Sequence, residues 1–363
     1  MFHNIYHNKK VLITGHTGFK GSWLALWLLD LGAELFGYSL EPPTKPNHFS
    51  LLTVNMESII GDVRDADYLK KVFKRHKPEI VFHLAAQPIV RASYKEPVDT
   101  FTTNVLGTIN VLEATRDCST VAAFVNITSD KCYENKESGR GYNENDPLGG
   151  YDPYSASKGC SEIITACWRS SFFNTKKYGS THNVLLATGR AGNVIGGGDW
   201  AVDRLMPDVM RATEKNERVI IRNPNAVRAW QHVLEPLSGY LLLGQGLLEN
   251  KKEFAEAWNF GPNEEENISV GKIIDQTQKI WSKVMYEIHS DPDQPHEADT
   301  LTLNCSKARS ELKWRSVWDV KDAVEKTVLW YKSFYESGEL RSSQDLKEYI
   351  AEAKTKNIRW SIE

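Results

Sequence analysis

A tyrosine and a lysine, Tyr154 and Lys158, stand four residues apart in the segment Tyr-Ser-Ala-Ser-Lys. Asp152 and Pro153 precede them and suit the cap and first position of a helix, so both side chains should share one helix face. A phenol has an ordinary pKa of about 10 and is a poor base at neutral pH, but a neighbouring ammonium favours the phenolate. With Ser129 hydrogen-bonded to the reacting oxygen, the pair could take a proton from a substrate hydroxyl while hydride leaves. The alternative is a chance pair on a surface helix, since this spacing is common.

Three glycines, Gly15, Gly18 and Gly21, follow the first predicted strand at intervals of three residues and lead directly into a helix. Gly15 permits a tight turn, Gly18 lets the backbone approach a pyrophosphate, and Gly21 lets the helix pack closely on the strand. The helix N-terminus offers N–H groups and the positive end of its dipole to the anion. The pattern predicts a dinucleotide-binding loop that includes Thr17 and Phe19. The alternative is a set of turn glycines without a ligand.

Strand-like and helix-like segments alternate around these residues. The predicted strands cover 10–14, 34–39, 58–60, 79–84, 122–128 and 183–188. The predicted helices between them cover 22–31, 65–75, 100–115 and 153–173. Strands separated by helices predict an α/β fold, here a Rossmann-type doubly wound parallel sheet with right-handed crossovers and helices on both faces.

The pattern loosens after residue 190 into long loops marked by glycine and proline. Predicted helices resume at 203–215, 234–248, 269–283 and 319–335. We therefore divide the chain into three parts. These are a dinucleotide-binding domain (1–190), a smaller, loop-rich C-terminal substrate lobe partly interleaved with it (191–340), and a peripheral helix followed by a loose tail (341–363).

The composition excludes several classes of protein. The 363 residues carry a formal net charge of −3 without a basic stripe along a predicted helix, which argues against nucleic acid as a partner. Five scattered cysteines without a Cys-x-x-Cys pair argue against a disulfide framework or a metal site. The polar N-terminus shows no signal peptide, and the apolar stretch 23–29 is far shorter than the roughly 20 residues that span a bilayer. We expect a cytoplasmic protein without a membrane partner.

The glycine spacing and the tyrosine–lysine pair resemble the extended branch of the short-chain dehydrogenase/reductase superfamily. The similarity extends to Asp62 and Val63 after the third strand, where that family contacts adenine. It also extends to Leu84, Ala85 and Ala86 after the fourth strand, where members line the cofactor. The resemblance implies NAD, held by these residues and the glycine loop, with the tyrosine–lysine pair at the nicotinamide end.

The end of the second predicted strand lacks an expected residue. An acid that binds the ribose of NAD usually follows the first glycine by roughly 20 residues. This chain has Tyr38, Ser39 and Leu40 there. No arginine takes the place either, so NADP is not favoured, and Ser39 is our candidate for the ribose. This position alone leaves the choice between NAD and NADP open.

Asp130 and Lys131 directly follow Ser129, which resembles the nucleotide-sugar 4,6-dehydratases of the same superfamily, where Asp is usually followed by Glu. Oxidation at sugar C4 gives a ketone that acidifies the C5 hydrogen, so a base at C5 and an acid at the C6 hydroxyl can expel water. We expect Asp130 to be the acid. Lys131 is the base only if burial or a neighbouring cation lowers its pKa; otherwise it positions water or substrate. The alternative is a solvated charged loop.

The resemblance also implies a site for the nucleotide diphosphate and the sugar. Arginine suits that role because its planar fork matches phosphate oxygens. The alternative for each candidate is a salt-bridged or loop-capping residue. The candidate substrate-binding residues are Gln87, Tyr94, Asn104, Asn193, Arg204 and Arg228.

Within this family, the glycine loop, the segment 128–131 and the tryptophan-containing segments 192–200 and 230–237 resemble members that act on CDP-glucose. This implies conversion of CDP-glucose to CDP-4-keto-6-deoxyglucose and water on a recycled NAD, in the synthesis of surface dideoxysugars. An epimerase, a dehydratase for another nucleotide sugar, and a non-catalytic nucleotide sensor stay open as alternatives. The predicted helices 100–115 and 153–173 correspond to a dimer contact in the superfamily, which implies a homodimer or homotetramer.

Overall fold

The computed structural model describes residues 1–137, 139–263, 266–289 and 300–362. Its strands are β1 (Lys10–Thr14), β2 (Glu34–Ser39), β3 (Glu57–Ile60), β4 (Ile80–His83), β5 (Ala123–Ile127), β6 (Leu185–Arg190), β7 (Val194–Ile195), β8 (Arg218–Ile221), β9 (Val227–Arg228), β10 (Gln231–His232), β11 (Ala257–Asn259), β12 (Ile268–Ser269), β13 (Met285–Ile288) and β14 (Thr300–Leu301). Its α-helices are α1 (Phe19–Asp30), α2 (His48–Leu51), α3 (Ala66–His76), α4 (Val90–Lys95), α5 (Pro97–Phe101), α6 (Gly107–Arg116), α7 (Pro153–Ser171), α8 (Leu205–Glu214), α9 (Leu234–Leu248), α10 (Val270–Ile280), α11 (Val320–Ser337), α12 (Ser342–Thr355) and α13 (Arg359–Ile362).

Seven parallel strands form the central sheet in the order β3-β2-β1-β4-β5-β6-β11. The first six follow the doubly wound Rossmann order, which confirms the predicted fold class. The strands β4, β5 and β6 are buried along their whole length because helices cover both faces. Successive side chains therefore enter different cores: Val11 and Ile13 face one apolar cluster, and Leu12 faces the other.

The C-terminal half adds to both layers of the fold. It supplies the edge strand β11 and the buried helix α9, which packs against β5 and β6. The sequence did not predict β11, because three residues inside a loop-rich region are too few to show the alternation or apolar run that indicates a strand. The division at residue 190 stays a prediction. No helix in the described part of the chain has the length and apolar character needed to cross a membrane.

The predicted helix 100–115 is interrupted in the structure. The chain forms α5, then a π-helical turn over Thr102–Leu106, and then α6. A π-turn carries one extra residue per turn and re-aims a side chain, and such turns often occur at functional sites. Here the side chain turned inward is Asn104, which is 2% exposed. An apolar periodicity of 3.6 residues cannot reveal this insertion.

The expected loose tail is instead ordered against the core. Trp360 in α13 is fully buried, and its ring stacks on Phe2 with centroids 5.1 Å apart. It also stacks on Tyr349 of α12 at 5.8 Å and meets Trp27 of α1 edge-on at 5.4 Å. One aromatic side chain thus holds the C-terminal helices on the dinucleotide-binding half. The sequence did not predict this buried tryptophan, because most residues around it in the segment are charged or polar.

We predict that Trp360→Ala lowers the free energy of unfolding by about 3–5 kcal/mol, because it leaves a cavity among three aromatic rings. Equilibrium urea denaturation measures this loss. The matched control is Ile362→Ala in the same helix, whose side chain is 58% exposed and whose removal should change stability by less than about 0.5 kcal/mol. Equal, small effects of both substitutions would contradict the anchoring role.

Candidate active site

The site lies where the carboxyl ends of neighbouring parallel strands meet, as ligand sites in open α/β sheets do. β1 leads into the glycine loop, β4 into Leu84–Gln87, and β5 into Ser129 and Asp130. The helix α7 then returns to this edge with Tyr154 in its first turn. Its start is as predicted: Pro153 is the first helical residue, and the Asp152 carboxylate accepts the N–H of Ser155 at 2.9 Å.

The glycine loop has the geometry that its spacing predicts. Gly15 has φ +78°, and a Cβ there would lie 2.7 Å from the backbone nitrogen of Ala85. A Cβ on Gly21 would lie 2.1 Å from the carbonyl oxygen of Gly15, so only glycine lets α1 pack this closely. Gly18 caps α1 without a side chain, which leaves the N–H groups of the first turn open to an anion. The loop therefore fits the pyrophosphate of a dinucleotide.

Hydroxyl groups take the place of the missing acid at the end of β2. The Thr17 hydroxyl lies 2.8 Å from that of Ser39 and donates to the carbonyl of Leu40 at 3.0 Å. The Asn47 side chain donates to the carbonyl of Thr17 at 3.1 Å and fixes the loop from the other side. The pair can hydrogen-bond a ribose without adding charge.

Asp62 and Val63 follow β3, as expected for the adenine side of the site. The carboxylate of Asp62 pairs with Arg64 at 2.6 Å, which also binds Asp99, and the pKa of Asp62 lies below its usual value chiefly because of the Arg64 hydrogen bond. The Asp62 carbonyl accepts the Tyr38 hydroxyl at 2.8 Å. Asp62 is thus held in place by its own neighbours before any ligand binds.

The side chains of two predicted substrate-binding residues are hydrogen-bonded to other parts of the protein. Asn104 accepts the N–H of Gln87 at 2.8 Å and donates to the Gln87 carbonyl and to the Ser157 hydroxyl at 3.0 and 2.8 Å. The Gln87 side chain bonds both the N–H and the carbonyl of Ile89, and also Thr100. These contacts favour a role in holding the loop after β4 on α7, while a direct contact with substrate stays untested.

Tyr154 is buried at the centre of the site. Burial raises the pKa of its phenol to about 12, the Ser129 hydrogen bond and Arg204 lower it, and Asp130 raises it. The expected pKa below the ordinary phenol value is therefore wrong for this structure, since desolvation outweighs the Ser129 hydrogen bond and the charge of Arg204. The predicted hydrogen bond from Ser129 to a reacting substrate oxygen stays a prediction.

Lys158 lies one turn further along the same face of α7 and is also buried. Burial lowers the pKa of its ammonium to about 8, while Glu162 and Cys132 raise it. Its Nζ donates to the carbonyl of Ile127 at the end of β5, at 3.5 Å. The amine thus stays at the sheet edge, next to the strand that carries Ser129.

Asp130 is 3% exposed, which excludes a solvated loop at this position. Its carboxylate accepts the Ser129 hydroxyl at 3.0 Å. A Cβ on Gly192 would lie 1.8 Å from Asp130 Oδ2, so the carboxylate depends on a glycine after β6. Lys131 instead lines a cleft of about 560 Å³ with Tyr151 and other residues. Asp130 is thus enclosed by protein, whereas the next residue, Lys131, borders a cleft.

Lys20, in the first turn of α1, was not among the candidate residues. Burial lowers the pKa of its amine to about 7, Arg204 and Lys158 lower it, and Asp130 raises it. A lysine in a glycine loop that otherwise contains no acidic or basic residue except His16 is a signal that could have indicated it.

The substrate candidates of the C-terminal lobe differ in their surroundings. Arg204 pairs with Asp199 at 2.8 Å and interacts electrostatically with Tyr154, so it reaches the catalytic region. Asn193 has φ +37° in the loop after β6. Arg228 lies in β9 of a small three-stranded sheet, and Tyr94 is 40% exposed on α4. Their contact with substrate stays a prediction.

Known proteins resemble both the sequence and the fold. The sequence model for GDP-mannose 4,6-dehydratase matches residues 12–327. A CDP-glucose 4,6-dehydratase of Salmonella typhimurium is 48% identical over 352 residues, covering 96% of this chain and 98% of that protein.

Solved structures show the same fold at lower identity. The dTDP-glucose 4,6-dehydratase of Bacillus anthracis in complex with NAD has a TM-score of 0.74 at 20% identity, covering 90% of this chain and 97% of that one. The UDP-glucose 4-epimerase of Thermus thermophilus in complex with NAD has a TM-score of 0.77 at 22% identity, covering 89% and 99%. With most of its length matched by the family model, the chain belongs to the GDP-mannose 4,6-dehydratase family of nucleotide-sugar enzymes.

Proposed function

We propose that the chain is an NAD-dependent lyase that converts CDP-glucose to CDP-4-keto-6-deoxyglucose and water. One observation carries the proposal. A buried phenol, Tyr154, is hydrogen-bonded to Ser129, and the next residue, Asp130, is a buried carboxylate at the same edge of the sheet. The two side chains could serve one substrate as proton acceptor and proton donor. The 48% identity to a CDP-glucose 4,6-dehydratase supports the choice of substrate.

The residues that would hold NAD lie along the edge of the sheet where the parallel strands end. The glycine loop and the open N-terminus of α1 would bind its pyrophosphate, Thr17 and Ser39 a ribose, and Asp62 and Val63 the adenine side. The backbone from Leu84 to Ala86 would line the nicotinamide half. When bound, NAD supplies the acceptor for the C4 hydride and returns that hydride to C6.

Tyr154 acts first in this mechanism. Its phenolate takes the proton of the C4 hydroxyl as the C4–H bond breaks and a C=O bond forms. The Ser129 hydroxyl donates to the same substrate oxygen. The phenolate needs positive charge to offset the desolvation that raises the pKa of Tyr154, and Arg204 lowers that pKa. We assign the same role to the Lys158 ammonium, one turn further along α7.

Asp130 acts in the second step. The C4 ketone makes the C5 proton acidic, a base removes it, and the C5 electron pair forms a double bond to C6 as the C6 hydroxyl leaves. That hydroxyl needs a proton to depart as water instead of hydroxide, and we assign this proton transfer to the Asp130 carboxyl. The base that took the C5 proton would return it to C5 once hydride has been added at C6, which completes the 4-keto-6-deoxy product. Lys131 is either this base or a residue that positions water or sugar at the cleft.

The charge of the substrate suits the surroundings of the site. A nucleotide sugar carries a diphosphate, and Arg204 offers a planar guanidinium within electrostatic reach of Tyr154. Asn193, Arg228 and Tyr94 are further substrate candidates. Because Asp130 lies beside the phenol, a dehydratase is favoured over a 4-epimerase, which needs no acid at C6.

We also propose a homodimer or homotetramer that works in the cytoplasm. Large apolar side chains are exposed on α5 to α7, where a second copy could cover them. They are Val98, Phe101, Leu106, Ile163 and Phe172. None of the five cysteines, which all lie in the described part of the chain, forms a disulfide.

Turnover without an added reductant tests the function directly. We expect the purified protein with NAD to convert CDP-glucose to a 4-keto product that absorbs strongly in alkali. UDP-glucose and dTDP-glucose serve as matched substrates. A galactose epimer, or preference for one of the other nucleotides, would assign the chain to a neighbouring activity.

We predict that Tyr154→Phe lowers kcat at least about 100-fold while NAD still binds, because the variant loses only the proton acceptor. Steady-state kinetics and cofactor titration measure both quantities. Tyr178→Phe removes the same atom from a tyrosine outside the site and should leave kcat unchanged. Normal turnover by Tyr154→Phe would refute the role of the phenol.

We predict that Asp130→Asn still oxidises C4 but slows water loss about 100-fold, because an amide cannot protonate the C6 hydroxyl. Single-turnover absorbance of the reduced cofactor should rise and persist. Glu134→Gln changes an exposed carboxylate of the same loop and serves as the control. If C4 oxidation itself stopped in Asp130→Asn, the assignment of the acid would be wrong.

A further inference from the structure

A buried glutamate, Glu162, lies one helical turn beyond Lys158 on α7 and has no part in the mechanism above. It is 2% exposed. One carboxylate oxygen accepts the Thr128 hydroxyl, and the other accepts the Thr188 hydroxyl at 2.9 Å and Arg190 Nη2 at 2.7 Å. Burial raises the pKa of Glu162, but Arg190 and the hydroxyl donors outweigh it, so the pKa lies below its usual value. Glu162 is therefore a fixed negative charge inside the protein.

Arg190, the partner of this charge, is equally fixed. Its Nη1 donates to the Tyr133 hydroxyl at 2.7 Å and to the Glu144 carbonyl at 3.3 Å. Its guanidinium also lies 5.0 Å from the centre of the Tyr133 ring. The ion pair is thus anchored on β6 and on the loop after β5.

The contacts of Glu162 connect the elements that carry the catalytic groups. Thr128, which bonds Glu162, directly precedes Ser129 and pairs with β6 through its N–H on the Gly189 carbonyl at 3.0 Å. Lys158 reaches the residue before it, Ile127, with its amine. Glu162 therefore holds the ends of β5 and β6 and the helix α7 together at the point where the amine lies.

Several titratable groups surround the Lys158 amine. Glu162 lies on the same helix, Cys132 on the turn after β5, His83 at the end of β4 and Lys20 on α1. Glu162 raises the pKa of Lys158 against the effect of burial, whereas Lys20 is a like charge. Burial keeps the pKa of His83 near 3, so its imidazole is neutral at working pH.

We infer that Glu162 is a positioning residue that keeps the buried Lys158 amine charged and in place at the end of β5, on the same helix as Tyr154. The inference rests on the proposed function, since it concerns the step in which Tyr154 takes the C4 hydroxyl proton. Glu162 touches neither substrate nor cofactor in this account, and it acts through Lys158 and through Thr128.

Loss of the Glu162 charge should change the pH dependence of kcat. A negative charge raises the pKa of a neighbouring ammonium, so its removal lowers that pKa. The ammonium is lost as pH rises through its pKa, and the alkaline limb of the kcat profile should follow. In Glu162→Gln this limb should move to lower pH by about one unit, which is roughly a tenfold loss of kcat at a fixed pH on the limb.

Three further variants distinguish the effect of the Glu162 charge on kcat from the effect of a destabilised structure. Glu162→Asp keeps the charge and should keep the alkaline limb of the unmodified protein, even if kcat falls. Glu162→Gln combined with Arg190→Gln also removes the buried guanidinium that the single variant leaves without its carboxylate. The double variant should therefore be more stable than the single variant, with the limb still shifted. Glu144→Gln removes a half-buried carboxylate that interacts electrostatically with Arg190, and it should not move the limb.

The pH profiles of kcat with CDP-glucose test this inference, together with the titration of the Lys158 signal by NMR in protein carrying 13C-labelled lysine. A lower midpoint of the Lys158 titration in Glu162→Gln supports the inference. An unchanged midpoint and limb in both Glu162→Gln and the double variant with Arg190→Gln would overturn it. If the unmodified protein does not turn over CDP-glucose, the proposed function fails separately, and the NMR midpoint still decides the role of Glu162.

Discussion

Charged and ionisable groups held out of water are the constraint on which this structure depends. Tyr154, Lys158 and Asp130 are all nearly inaccessible to solvent, and burial disfavours the charged forms of Tyr154 and Lys158. Each therefore has a partner: the phenol has Ser129, the carboxylate has the Ser129 hydroxyl, and the amine has the negative charge of Glu162. The chemistry that we propose uses the groups whose burial is most costly.

The parallel sheet makes this arrangement possible. Because neighbouring strands end at one edge, residues far apart in the chain meet there without long loops. Glycine appears where backbone or charge must come closest: Gly15 against Ala85, Gly21 against Gly15, and Gly192 against Asp130. A side chain at the last position would displace the proposed acid, so the second step depends on a residue that has no functional group.

Local patterns predicted much of the fold and the central residues of the site. The bounds of β1 and β2 agree with the structure, as does the helix start at Pro153, because runs of apolar residues and helix caps act over a few neighbours. Contacts between distant segments were not predictable in this way. They include the π-turn that aims Asn104 at Gln87 and the burial of Trp360 among aromatic rings. The direction of the pKa shift of Tyr154 was missed for the same reason, since desolvation depends on the whole fold.

The most direct test of the central claim follows one hydrogen atom. CDP-glucose with deuterium at C4 is incubated with the protein and NAD, and the product is analysed by NMR and mass spectrometry. If Tyr154 and Asp130 act in succession at one closed site, the deuterium is recovered at C6 of the 4-keto product. Deuterium left at C4, or lost from the sugar, would contradict the account.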